Sequence, residues 1–298
     1  MTESTSLDSE FTRHRPLLFS IAYEILASVS DTEDVLQDSY LKWRNVDMSR
    51  IDHPRAYLVQ IVTRQALAVL RLRSRRREEY VGPWLPEPLA TDGRGPGDGL
   101  DHVLTGEAVT TAMLLVLETL TPAQRAVFVL REVFEFSFAE IASAIGRSEE
   151  AARQLNQRAR EQVRARRAEV LGTFASPLDA RAVAEQCAYA AATGDVQALM
   201  DVLAPDVVFI ADGGGVVNAV RRPVTGADKV ARLLVGLLTK GEGMGEMEIR
   251  AGIYNGMNTA MVIIDGTLDQ LTSVEVRDRR VTAIYCVRNP AKLAAVRL

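Results

Sequence analysis

The chain has 298 residues, with 35 Lys and Arg against 39 Asp and Glu, for a formal net charge of −4. At 47% hydrophobic and 25% charged residues the composition is that of an ordinary globular protein, and the length allows about two domains or three small ones. No run approaches ~18 uninterrupted apolar residues and the start (Met1–Glu10) is acidic and polar, so no membrane span and no export are expected, and the expected setting is cytoplasmic. Cys187 and Cys286 are too few for a disulfide framework or a zinc site, and the last of the three histidines, His14, His53 and His102, stands about a third of the way along the chain. No cofactor and no metal are expected.

The overall acidity argues against a polyanionic partner, but its distribution does not. Between Thr63 and Arg77 there are six arginines and no acid, and between Arg147 and Arg167 there are seven arginines against Glu149, Glu150 and Glu161. Two basic helical stretches on an acidic protein suggest two separate contacts with a polyanion. The alternative is arginine-rich helix ends that are simply solvated and complement the helix dipole.

In chain order, Phe11–Ala27 places Leu17, Leu18, Ile21, Ala22, Ile25 and Leu26 at helical spacing. A second helix starts at Asp31, with Glu33 and Asp34 in its first turn, and runs to about Trp43. Residues 45–52 read as a loop. Pro54, preceded by Asp52 or His53 as cap, opens a third helix to about Arg77, completing an all-helical domain over residues 8–78. Residues 79–106 then form a linker, since Pro83, Pro86, Pro88, Pro96 and the five glycines between Gly82 and Gly99 exclude regular structure. Within it Trp84-Leu85-Pro86-Glu87-Pro88 is either an apolar hook or an incidental Trp in a flexible tether.

Helices resume over residues 107–172. Ala108–Leu120 is one, and Thr121-Pro122-Ala123-Gln124 is a capping box that opens another over Pro122–Val133. Ser137-Phe138-Ala139-Glu140 is a second capping box, for a short helix to Ile145. Gly146 ends that helix and Ser148 caps a longer basic one to about Leu171, which together make a helix-turn-helix. Ala142 and Ala152 leave room where the two helices cross. A third unit, residues 178–298, begins with helices (Asp179–Thr193, Val196–Leu203) and a strand over Pro205–Ala211. After the turn Asp212-Gly213-Gly214-Gly215 come an amphipathic helix, Ala227–Leu238, and four β-rich runs over Met247–Tyr254, Thr259–Asp265, Leu268–Val276 and Val281–Val287. This is an α+β domain with a curved antiparallel sheet.

Asp31-Thr32-Glu33-Asp34-Val35-Leu36-Gln37-Asp38 through Trp43 resembles the core of sigma region 2, and Pro54 through Arg71 resembles the helix that melts and reads a promoter −10 element. Thr121–Arg166, especially Ser137–Ala142 and Arg158-Ala159-Arg160, resembles sigma region 4, which reads the −35 element. The order, separation and linker are similar to those of extracytoplasmic-function sigma factors. Trp84–Pro88, Asp212–Gly215 and Asn289-Pro290-Ala291-Lys292-Leu293 resemble three signatures of the sigma-J-like subgroup with a fused C-terminal SnoaL-like domain. Two departures stand out: Val216 replaces the basic residue that often follows the glycines, and Ala291 the acid before Lys292. The fold implied is two all-α sigma domains followed by an NTF2/SnoaL-like cone-shaped α+β barrel.

The resemblance implies a transcription initiation factor, with core RNA polymerase (β′ coiled coil and β subunits) and promoter DNA as partners. Glu33, Asp34, Gln37 and Asp38 would meet the β′ coiled coil, although Glu33 and Asp34 could also serve the helix dipole alone. Asn45, Asp47 and Ser49 offer hydrogen-bonding edges to an extruded −10 base, with Arg55, Arg64 and Arg71 on phosphates. In the second basic helix Ser148, Glu149, Glu150, Arg153, Gln154 and Gln157 face base edges, with Arg158, Arg160 and Arg164 on phosphates. Trp84–Pro88, Asp212–Gly215, Asn289, Pro290, Lys292 and Leu293 are expected to dock the last domain on the linker and regulate in cis. The other class of reading is a SnoaL-like enzyme or small-molecule sensor fused to a helix-turn-helix. Its acid–base candidates are Asp212, Asp228 and Tyr254, and its ligand would be a small molecule in the last domain. No catalytic role is expected.

Overall fold

The computed structural model describes residues 2–76, 80–91, 110–170, 177–241 and 245–298, and the chain divides into two compact units. The first contains α1 (Thr2–Leu26), α2 (Val29–Trp43), α3 (Pro54–Arg76), most of α4 (Thr111–Leu117), α5 (Pro122–Phe128), α6 (Phe138–Ile145) and α7 (Glu149–Val170). The second contains residues 80–91 together with an α+β domain of α8 (Pro177–Ala192), α9 (Val196–Val202), α10 (Ala227–Gly241), α11 (Pro290–Leu293) and six strands. No helix among the described residues is long and apolar enough to cross a membrane.

In the first unit the apolar stripes of α1, α2 and α3 close around Trp43, which is fully buried with Leu18, Ile21, Ile25 and Leu58. Helix α1 starts well before the expected Phe11, because α2 holds its early turns. The indole N–H of Trp43 donates to the Leu7 carbonyl at 2.8 Å, and Tyr40 Oη donates to Asp8 at 2.9 Å. The cap of α2 is Ser28, not Asp31: Ser28 Oγ accepts the Asp31 N–H at 3.2 Å, which frees the Asp31 carboxylate to pair with Arg73. Residues 45–52 contain a 3₁₀ turn, Met48–Arg50, capped by Asp47. The helix expected over Pro122–Val133 is α-helical only to Phe128 and then widens into a π turn, Val129–Val133.

The sheet of the second unit runs β2-β1-β6-β5-β4-β3, with β1 Leu203–Asp212, β2 Val224–Thr225, β3 Met247–Tyr254, β4 Met257–Ile264, β5 Thr267–Arg277 and β6 Arg280–Val287. The expected all-antiparallel sheet is corrected to a mixed one. Strand β1 lies parallel to β6, in register from Val208↔Ala283 to Asp212↔Val287, because the long crossover through α10 and the β3–β5 meander returns the chain in the same direction. Three two-residue hairpin loops, Asn255-Gly256, Asp265-Gly266 and Asp278-Arg279, have positive φ at both positions, the turn whose twist suits adjoining strands. Helices α8, α9 and α10 cover one sheet face, burying Leu203, Val207, Phe209, Val230, Val281, Ile284 and Cys286. The parallel pairing sets Asp212, at the end of β1, beside Val287, at the end of β6. Three motifs distant in sequence meet there.

Candidate functional site

The helix-turn-helix is built from local chemistry. Ser137 Oγ accepts the Glu140 N–H, and Glu140 Oε2 accepts the Ser137 N–H at 2.8 Å, closing the first capping box. Gly146 sits at φ 67° and ψ 43°, a left-handed turn that lacks a Cβ penalty only for glycine. Ser148 Oγ then accepts the Ala151 N–H at 3.2 Å and starts α7. Ala142, Ala152, Asn156, Ala159 and Val163 are buried, so Ser148, Glu149, Glu150, Arg153, Gln154, Gln157, Arg158 and Arg160 are left on the outside. Three of these long polar side chains are held along the helix: Arg153 on Glu149 at 2.8 Å, Gln154 on Glu150 at 3.1 Å and Gln157 on Glu161 at 3.0 Å. Two supports escaped the sequence reading. The ring of Phe138 carries the Arg153 guanidinium at 5.4 Å, and Glu132 accepts the buried Asn156 amide at 2.8 Å. Phe138 lay within a recognised capping box and Arg153 was singled out on the next helix, but nothing in the sequence marked the contact between them.

On α2, Asp34, Gln37 and Asp38 are exposed, while Glu33 is half-exposed and ion-paired with Arg15 at 2.6 Å. The 45–52 segment uses its polar groups on itself. Asn45 Nδ2 donates to the Leu41 carbonyl at 2.8 Å, and Ser49 donates through both N and Oγ to Asp47 Oδ1, at 3.1 and 2.6 Å. All three side chains stay exposed. On α3, Arg55, Arg64 and Arg71 are exposed too, but Arg55 lies 5.5 Å over the Phe136 ring and Arg64 donates to carbonyls of α6.

The second unit brings the three distant motifs to one point. Asp212 is fully buried, and its Oδ1 accepts the Gly214 N–H at 3.0 Å and the Tyr80 hydroxyl at 2.5 Å. Its Oδ2 accepts the Leu85 N–H at 2.8 Å and the Lys292 ammonium at 2.7 Å. Lys292 is itself 6% exposed, donates to the Leu85 carbonyl, and lies 4.0 Å over Trp84 and 5.3 Å over Tyr80. One carboxylate and one ammonium thus hold both backbone polar groups of Leu85. Asn289 caps α11 with Pro290 at its first turn, and Asn289 Nδ2 donates to Tyr80 Oη at 3.0 Å. Burial first, then the hydrogen bond to Asp212, hold the Tyr80 phenol above its ordinary range. Leu85, Pro86, Glu87, Pro88 and Leu293 are buried, and Trp84 is half-buried. Beyond the motif the segment adds to the β3 edge: Asn255 donates its N–H to the Leu89 carbonyl at 2.8 Å, and Asn255 Oδ1 accepts the Leu89 N–H at 2.9 Å. Tyr80 and Asn255 were not anticipated, because they lie outside the quoted motifs.

Of the glycines in this corner, Gly213 is buried, Gly215 is exposed, and Gly214 is the one that admits Asn289. At φ +62° an added Cβ on Gly214 would stand 2.3 Å from Asn289 Nδ2 and 2.6 Å from its Cγ. Gly214→Ala should therefore lower stability by about 1–3 kcal/mol, through strain at positive φ and displacement of the Asn289 amide. Thermal unfolding checks it, and an unchanged midpoint would mean that Asn289 moves aside freely.

The acid–base candidates are dispersed. Asp212 is committed to this lock, Asp228 pairs with Arg232 at 2.9 Å, and Tyr254 Oη lies 3.3 Å from the Met261 sulfur. Cys187 and Cys286 are free and buried, and burial pushes both thiols up to about 11.

Two family descriptions match the chain: Sigma-70 region 2 over residues 11–78 and Sigma-70, region 4 over residues 110–163. The ECF RNA polymerase sigma factor SigJ of Mycobacterium tuberculosis (strain ATCC 25618 / H37Rv) is 38% identical over 291 residues, spanning 95% of this chain and 92% of that relative. The probable ECF RNA polymerase sigma factor SigI of the same strain is 25% identical over 300 residues, spanning 100% of this chain and 98% of that relative. The crystal structure of Mycobacterium tuberculosis extracytoplasmic function sigma factor SigJ matches with a TM-score of 0.77 at 34% identity, covering 97% of this chain and 99% of that one.

Proposed function

Because the chain belongs to the extracytoplasmic-function RNA polymerase sigma factors, we propose that α7 reads the promoter −35 element, that α3 and the turn before it engage the −10 element, and that the α+β domain acts in cis through its hold on residues 80–91. The protein is a transcription initiation factor, working with core RNA polymerase on promoter DNA. The observation that carries the finer reading is the division of α7. Ala152, Asn156, Ala159 and Val163 anchor it, while Arg153, Gln154 and Gln157 project along one outward side from its first turns. A helix presented this way by a capped partner and a left-handed turn suits the major groove, where arginine and glutamine pair with purine edges. The Phe138 ring and Glu149 hold Arg153 extended, which reduces the entropy lost on meeting a base.

Asp34, Gln37 and Asp38 on α2 form the acidic face offered to the polymerase β′ coiled coil. Arg55, Arg64 and Arg71 on α3 supply charge for phosphates near the −10 element. Asn45, Asp47 and Ser49 are exposed for an extruded base, which would have to exchange the bonds within the turn for bonds to itself.

Run-off transcription with core RNA polymerase on a panel of −35 variants tests the groove reading. Arg153→Ala and Gln154→Ala should each change the ranking of −35 sequences, with about 1–3 kcal/mol of discrimination per lost base contact. Arg164→Ala should weaken all sequences alike. Equal losses on every variant from all three substitutions would remove α7 from the groove.

A further inference from the structure

The sheet of the second unit has two unlike edges. Strand β2, Val224–Thr225, is too short to template a further strand. Strand β3 is eight residues long, and Met247–Tyr254 contains neither the lysine nor the proline that commonly guards an exposed edge. One end of this edge already accepts a strand: Thr91 donates its N–H to the Ile253 carbonyl at 2.9 Å, and Ala90 bridges to Tyr254. The Thr91 bond shows which main-chain groups of β3 face away from β4. Alternation along the strand puts the N–H and C=O of Met247, Ile249 and Ala251 on the same outward side as the Ile253 carbonyl. Among the described residues no strand pairs with these three on that side. Ile249 and Ile253 are 53% and 41% exposed on one face of the strand, with Ala251 exposed between them. On the other face Glu248 and Arg250 are exposed and bound to each other, Arg250 Nε donating to Glu248 Oε1 at 2.6 Å and Nη2 to Oε2 at 3.0 Å. An acid and a base spaced evenly about an isoleucine form a self-complementary pattern when the strand meets an antiparallel copy of itself.

We infer that β3 pairs with β3 of a second copy of this chain, antiparallel about a two-fold axis at Ile249, so that one sheet runs through both copies. Bonds and charge fix that register. Centred on Ile249, the pairing uses the outward groups of Met247, Ile249 and Ala251 in both strands. Glu248 of each copy then stands opposite Arg250 of the other, on one face and twice over. A centre at Glu248 or at Arg250 would set like charges against each other and leave outward groups unused. Nothing beyond Ala251 is needed, so Thr91 keeps its bond to Ile253. The two Ile249 side chains cover one another and leave water together. Each copy spends its one long edge, so assembly closes at two chains. None of these residues has a promoter-reading role above.

Sedimentation velocity of the full chain over a concentration series tests the pairing. A single strand edge is a small interface and makes a weak dimer, so the mass should rise from one chain to two over roughly tens of micromolar and stop there. Arg250→Glu and Glu248→Arg, each alone, should weaken dimerisation at least ~10-fold by opposing like charges. Mixed in equal amounts, these two variants should form a heterodimer about as tight as the native dimer, because each charged strand now meets its complement. The double exchange, Glu248→Arg with Arg250→Glu, should restore the homodimer within one chain, which separates lost pairing from lost folding. A native chain that stays monomeric at several hundred micromolar, or grows past two, overturns the pairing. So does undiminished dimerisation of either single variant, or a double exchange that stays monomeric.

Discussion

Lys292→Met should destabilise the α+β domain by about 3–5 kcal/mol, the usual cost of leaving one member of a buried ion pair without its counter-charge. The Asp212 carboxylate is fully buried, and in this variant it would keep Tyr80, Gly214 and Leu85 as donors while losing the ammonium 2.7 Å away. Methionine fills the space over Trp84 but gives the Leu85 carbonyl no donor. For a domain of this size the loss corresponds to a drop of about 10–20 °C in Tm. The segment 80–91, held largely from this corner, should become the fastest site of limited proteolysis. Combining Lys292→Met with Asp212→Asn removes the charge with its partner and should restore most of the stability, since a neutral pair is far less costly to bury. A double variant no better than the single one would show that the fixed Leu85 backbone, rather than charge pairing, holds the corner.

Glu24→Gln should make the helical unit more stable, increasingly so as pH rises. Glu24 of α1 is buried, its backbone carbonyl accepts from Arg125, and its Oε2 has no hydrogen-bond partner among the described residues. Burial pushes its carboxyl from the ordinary 4.5 up to about 8, against the opposing pull of Arg125. Below pH 4.5 the folded and unfolded chains both carry the proton, and the residue makes no difference between them. From there to about pH 8 the unfolded chain ionises Glu24 while the folded one keeps it protonated, so native stability falls through that window and levels off above it. The total is on the order of 5 kcal/mol. Glutamine keeps the shape and cannot ionise, so the two proteins should unfold alike near pH 4.5 and differ most at pH 8 and above. Denaturant titrations across this range give the answer, and parallel curves would mean that Glu24 is already ionised in the folded protein.

The parts of the fold legible in the sequence are those written in short-range chemistry. Ser137 with Glu140, Gly146 and Ser148 mark the helix-turn-helix because a cap, a left-handed turn and a second cap each act within four residues. Asn255-Gly256 and Asp265-Gly266 mark their hairpins in the same way. What escaped is set by partners far along the chain. The early start of α1 depends on Trp43 and Tyr40 reaching back to Leu7 and Asp8, and no periodicity in Thr2–Glu10 announces that. The parallel pairing of β1 with β6 joins residues such as Phe209 and Ile284, whose side chains look the same in any strand order. Near the functional surfaces the contrast is sharper. The motifs at Trp84, Asp212 and Lys292 were visible separately, but a buried ammonium gripping the Leu85 backbone emerges only once β1 and β6 lie side by side. Arg64 was legible as a basic residue on a helix, and its engagement by Ser143 was not.

The grip of Lys292 on Leu85 also imposes an order in time. The two residues are 207 positions apart, so a ribosome making about 5–20 residues per second needs roughly 10–40 s to supply the second after the first. All of α1 to α7 precedes Lys292, and these helices can fold long before the ammonium exists. The nascent initiation factor therefore passes through a period in which its region 2 and region 4 helices are complete and the segment 80–91 is unfastened. A chain interrupted anywhere between α7 and β6 stays in that condition permanently. Fastening of the segment 80–91 is therefore a late event of synthesis, because it waits for Lys292.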